Sequence, residues 1–160
     1  MVTEIDIALL RALIERLSTT EPIPDEEIEK LRARRSINWF TFPSEEEIAA
    51  HKERYRPKAL SFLSEPGAQD YLNDIQNNIS VQIKIVDGMF SDWLALGERP
   101  APHYPNRICV ILRKAKAFGL ELAFLKAYCK HFNASQQPIG VTGEKLLARA
   151  IKIGALSPTK

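Results

Sequence analysis

The sequence predicts an all-α fold: a long antiparallel helical hairpin, about 68–97 and 105–132, packed by shorter N- and C-terminal helices. Three observations predict it. Leu72, Ile75, Ile79, Ile83, Val86, Phe90 and Trp93 recur at spacings of 3 and 4, which keeps one face of a helix apolar. Ile108, Ile111, Ala115, Phe118, Leu122, Leu125, Cys129 and Phe132 repeat the pattern. Helix-capping residues and prolines punctuate the rest of the chain.

The elements follow in order. Thr3 with Asp6 is a variant capping box, and Ile7, Leu10, Ile14 and Leu17 give the first helix its apolar stripe, widened by Leu9 and Leu13. It should end near Ser18, before Pro22 and Pro24. A second helix should start at Asp25, with acids first and Lys30, Arg32, Arg34 and Arg35 last, as the helix dipole favours. Only Ile28 and Leu31 are apolar there, so it belongs on the surface. Ser44 with Glu47 opens a third helix, which Pro57 should end or kink. Leu60, Phe62 and Leu63 form a short apolar segment before Pro66 and Gly67.

Residues 79–86 carry a rival reading, because Ile79, Val81, Ile83 and Ile85 alternate as a strand would. The helical period extends past both ends of that run, so the helix is preferred. Pro100, Pro102 and Pro105 mark the connection to the second long helix, whose register runs through Gly119 without a break. Its wide stripe, extended by Val110, Ala117 and Phe124, suits a central helix with neighbours on two sides. After a linker containing Pro138 and Gly140, Thr142 can cap a short last helix carrying Leu146, Leu147, Ala150 and Ile151, closed by Gly154. The tail 157–160 should fray.

With 160 residues and 45% hydrophobic side chains, the chain is expected to be one domain, 1–160. Within it, 1–66 is an acidic set of helices and loops, 67–133 the hairpin, and 134–160 a linker and last helix. No apolar run approaches the ~20 residues of a membrane span. The opening residues lack the basic region of a signal peptide. Cys109 and Cys129 lie in apolar stretches, which points to buried, reduced thiols in a cytoplasmic protein.

Familiar chemical motifs are missing. His51, His103 and His131 have no ligand spacing, and Cys129 and His131 lie about 200° apart around a helix, so no metal site and no cofactor are expected. His131 near a helix end suits the dipole in its charged form. There is no Gly-x-Ser-x-Gly elbow and no phosphate-binding loop, and Gly140 to Lys145 resembles one only faintly. Asp25-Glu26-Glu27 and Glu45-Glu46-Glu47 are explained by helix starts. An enzyme is therefore the third choice.

Charge is the more informative signal. Residues 1–80 hold 10 basic and 15 acidic side chains, whereas residues 81–160 hold 12 and 5. The first expectation is a small regulatory protein whose basic half docks on nucleic acid through Arg113, Lys114, Lys116, Lys126 and Lys130. Arg107, Lys145, Arg149 and Lys152 add charge nearby in sequence, and a helix-turn-helix at the C-terminal end would have no identifiable recognition helix. A second basic group, Arg32, Arg34 and Arg35, leads into Trp39, Phe40 and Phe42. There an aromatic could stack on a base while arginine holds phosphate. The plainer expectation is that the arginines are a solvated helix end and the aromatics plug the core.

The alternative function is a protein adaptor or homo-oligomer without nucleic acid, with an acidic protein as the partner. Its site would be the stretch from Trp93 through Arg99 and Tyr104, since Trp, Tyr and Arg dominate interface hot spots. The simpler reading is that Trp93 closes the hairpin core.

Overall fold

The computed structural model describes residues 1–133 and 140–158. The linker expected at 134–139 and the fraying expected at 159–160 lie outside them. Among the described residues the chain is all-helical, without strands. The described residues form eight α-helices: α1 (Glu4–Thr19), α2 (Asp25–Arg35), α3 (Glu45–Arg54), α4 (Ala68–Ile75), α5 (Ile79–Leu96), α6 (His103–Lys114), α7 (Phe118–His131) and α8 (Val141–Lys152), with short 3-10 turns at Trp39–Thr41 and Ser61–Ser64.

The expected caps at both early helices are present. The Asp6 amide donates to Thr3 Oγ1 and the Thr3 amide donates to the Asp6 carboxylate at 2.7 Å. Ser44 and Glu47 make the same reciprocal pair at α3. Residues 79–86 are helical, as the long period required. The last helix begins differently: Gly140, not Thr142, occupies the cap position of α8.

Both expected long helices are broken. The first divides into α4 and α5 at Gln76–Asn78. Asn78 caps α5 through its side-chain oxygen, which accepts from the Val81 amide. The carbonyls that the break releases find new donors. Gln82 Nε2 donates to Ile75, and Arg107 of α6 donates to Gln76 and to the Asn77 side chain. The second divides into α6 and α7 at Ala115–Ala117. Lys116 adopts a left-handed conformation, φ 57°. Around it the Ala117 amide donates to Leu112 and the Lys116 amide to Arg113, the paired bonds of a Schellman ending. Gly119 therefore lies in the first turn of α7 rather than inside a long helix. The apolar spacing runs through both breaks in the sequence, which is why periodicity alone misses them. At the second break the buried face does not follow it: Ala115 and Phe118 of the expected stripe are exposed.

The core forms around α5 and α7. α7 packs on α1, α6 and α8, and α5 packs on α1, α2, α4 and α6. Leu10, Leu17, Phe90, Trp93, Ile108, Leu112, Phe124, Leu125 and Leu146 are all buried there. Glu121 and His131 are two of the polar residues buried with partners. Glu121 of α7 is 1% exposed and receives Arg113 from α6 and Arg149 from α8 at 3.1–3.2 Å. His131 Nε2–H donates to the Leu17 carbonyl at 2.7 Å and its ring meets Phe90 edge-on. Burial holds the His131 pKa below its usual value, helped by nearby Lys130 and opposed by the Leu17 hydrogen bond. The imidazole is thus a neutral core group rather than a cation serving the helix dipole.

Candidate functional site: an aromatic and basic arm

Residues 36–57 differ from the rest of the chain. Neither the Trp39–Thr41 turn nor α3 buries any residue. The segment is rooted at the C-terminal end of α5. At one root Arg32 Nε donates to the Gly97 carbonyl at 3.2 Å and Arg35 is ion-paired with Glu98. At the other, the amides of Lys58 and Ala59 donate to the Asp92 carboxylate at 2.8–3.1 Å. Within the arm, His51 Nε2–H donates to the Arg35 carbonyl at 3.0 Å, tying α3 back to the end of α2.

The aromatic residues lie outside the core. Trp39 is 62% exposed, Phe40 93% and Phe42 91%. The backbone contributes to this. Asn38 accepts from the Phe40 amide through its side chain, and Phe42 is left-handed at φ 50°. A non-glycine side chain rarely adopts that conformation without a compensating constraint. Pro43 follows directly and Ser44 caps α3. The expectation that these three plug the core is overturned, because the arm places no second layer over them.

Two clefts flank α3 and share Ser36. One, of about 340 Å³, is lined by Ile37, Asn38, Thr41, Glu47, Ile48 and His51. The other, of about 450 Å³, is lined by Arg32, Arg35, Lys52 and Arg56 with Tyr55. Among the described residues Arg34, Lys52, Arg54 and Lys58 have no carboxylate partner, and Arg54 instead lies over the Tyr55 ring at 5.5 Å. Residues 30–58 hold 8 basic against 4 acidic side chains. Dividing the chain at residue 80 concealed this local excess. A shorter charge window would have found it.

The cations of the second half do not converge in the same way. Arg113 is engaged by Glu121, and Lys130 Nζ donates to the Ser18 carbonyl at 2.7 Å. Lys116 sits on the left-handed turn, Lys114 borders a small cleft with Met1 and Ile111, and Lys126 is exposed on α7. The suggested protein-binding trio separates too. Trp93 is 1% exposed and Tyr104 4%, so both are core residues, and Arg99 alone is exposed. Trp93 packs edge-on against Phe132.

The remaining reactive groups are quiet. Cys109 and Cys129 are free and buried. Burial, with Glu121 nearby, pushes the Cys109 thiol up to about 12, and burial pushes Cys129 up to about 11. Neither is a thiolate at neutral pH. Among the described residues no three His, Cys, Asp or Glu side chains gather as a metal site, and no helix is long and apolar enough to cross a membrane. Comparison of the chain with protein-family models, with curated proteins and with solved structures finds no match.

Proposed function

We propose that this chain is a non-enzymatic binding protein whose arm engages single-stranded nucleic acid. The observation that carries this reading is the exposure of Trp39, Phe40 and Phe42 directly after the basic end of α2. Flat aromatic faces stack on bases of any sequence, at about 1–3 kcal/mol per base, while cations follow the phosphates. Arg34, Lys52, Arg54 and Lys58 supply charge that forms no ion pair with a carboxylate of the described residues. Lys114, Lys116 and Lys126 add long-range attraction without sequence readout. In a duplex the base faces are already stacked, so single strands are the preferred form.

The two tryptophans make the test direct. Trp39 is exposed and Trp93 buried, so base stacking should quench Trp39 emission while Trp93 gives a constant background. We expect quenching and increased anisotropy with a labelled single strand, weaker binding to the matching duplex, and a steep negative salt slope. Changing Trp39, Phe40 and Phe42 together to Ala should weaken binding at least 10-fold. Absence of binding at low salt would overturn the reading and direct attention to a protein partner for the same arm.

A further inference from the structure

The basic cleft has features that stacking alone does not require. Its four cations come from two helices: Arg32 and Arg35 from the end of α2, Lys52 from α3, and Arg56 from just beyond it. Arg32 is held through Nε by Gly97 and through Nη1 by Glu29. Arg35 is held through one Nη by Glu98. A guanidinium carries five N–H donors in a rigid plane. The two bonds fix the plane of Arg32, the single bond anchors one edge of Arg35, and both guanidinium groups keep further N–H groups available. Glu29, Glu98 and Glu53 pair with the arginines, but no carboxylate is among the residues that line the cleft. Lys52 reaches it unpaired, and the Ser36 and Tyr55 side chains add neutral donors.

Two helix C-termini face the same cleft, each worth roughly half a negative charge. With Glu29, Glu98 and Glu53 they offset the cations overall, but the surface that lines the cleft carries cations and neutral donors without a carboxylate. Convergent cations with preset arginine forks suit a compact, doubly charged, multidentate anion better than an internal phosphodiester with its single charge.

We propose that this cleft binds a phosphomonoester dianion, with Lys52 and Arg56 as the exposed contacts and the unengaged N–H groups of Arg32 and Arg35 as fixed donors. The group can come from the phosphorylated end of a strand or from a free mononucleotide. Only the first source rests on the single-strand reading above.

Arginine Nε–H and backbone resonances would be followed by NMR during titration with inorganic phosphate, against chloride at equal ionic strength. Shifts confined to Arg32, Arg35, Ser36, Lys52 and Arg56 are expected with phosphate alone. Oligonucleotides of one sequence, carrying a 5′-phosphate, a 3′-phosphate or hydroxyl ends, would then be compared with a mononucleotide. One phosphorylated form should bind at least 5-fold more tightly than the hydroxyl form. Lys52→Gln with Arg56→Gln should remove that gain, so that phosphorylated and hydroxyl ends bind alike, while the loss of Lys52 weakens both. The fold should be kept, since both side chains lie outside the packed core. Phosphate and mononucleotide binding without any oligonucleotide binding would keep the cleft and sink the strand reading. Equal affinity for all ends, together with no phosphate-specific shifts, would overturn the proposal.

Discussion

Trp93 and Trp39 are the same side chain in opposite circumstances. Trp93 lies in α5, whose flanking helices bury it to 1% exposure, with Phe132 against its ring. Trp39 lies in an arm without a second layer and stays 62% exposed. Both stretches of sequence are aromatic and apolar, so hydrophobicity did not decide the outcome. Neighbours did. Residues 79–132 repeat their apolar positions often enough for three helices to cover one another, whereas α3 offers only Ile48 and two alanines between charged residues. Leaving a large apolar side chain exposed forgoes about 1.5–3 kcal/mol. Three such residues in four positions are a standing incentive for a partner to cover them.

Substitution should break this symmetry. Trp93→Ala is expected to cost about 3–5 kcal/mol of stability by chemical denaturation, whereas Trp39→Ala should cost less than about 0.5. Similar losses at both positions would mean that the arm packs more tightly than its exposure indicates.

The junction between the two regions comes next in size. Asp92 is the buried acceptor for the amides of Lys58 and Ala59. Asp92→Ala leaves those donors without their acceptor, at about 1–3 kcal/mol. Hydrogen exchange should accelerate first at Lys58 and Ala59 and leave α7 protected at the mutant's global rate. Uniform acceleration throughout would show that arm and core are one cooperative unit.

A gain is expected at the turn between α6 and α7. Lys116 holds a left-handed conformation without a supporting side-chain cap. Lys116→Gly should stabilise by about 0.5–1 kcal/mol, because glycine removes the Cβ strain and only part of that is returned to the freer unfolded chain. No gain would indicate that the lysine side chain makes a contact worth as much as the strain.

Titration gives the smallest signal. Burial holds the folded pKa of His131 below the ordinary imidazole value of 6.5. The unfolded chain therefore binds the proton first, and stability declines as pH falls below about 6.5 toward the folded pKa. His131→Gln should flatten that slope. His103 is shifted in the same direction by burial and by Arg107, and would retain its share. An unchanged slope in the variant would assign the effect elsewhere.

Much of the fold was legible because it is written locally. Thr3 with Asp6 and Ser44 with Glu47 announced their helices, and the period through Ile79 to Trp93 outlived the alternation that mimicked a strand. The breaks at Asn78 and Lys116 were not legible from periodicity, since the spacing of apolar residues continues across them in the sequence. Asn78 was at least a cap residue in the right place, but Lys116 gave no signal, because lysine is seldom chosen for a left-handed turn. The site was half legible. The junction of arginines and aromatics at 32–42 stood out in the sequence, yet whether Trp39 meets a core or solvent depends on what α3 fails to cover. Likewise, a lysine at 130 reads as a surface cation until Ser18 presents it with a carbonyl.

The roots of the arm have an evolutionary consequence. Asp92 holds one and Gly97 with Glu98 the other, so chain leaves and rejoins the bundle within about 9 Å of α5 at ~1.5 Å per residue. Such an excursion behaves as a cassette. Its sequence can be exchanged, lengthened or excised with little penalty to the scaffold beneath it. Descendants of this fold could therefore keep the same helical bundle while changing what they hold, provided Asp92 and Arg32 continue to fasten the ends.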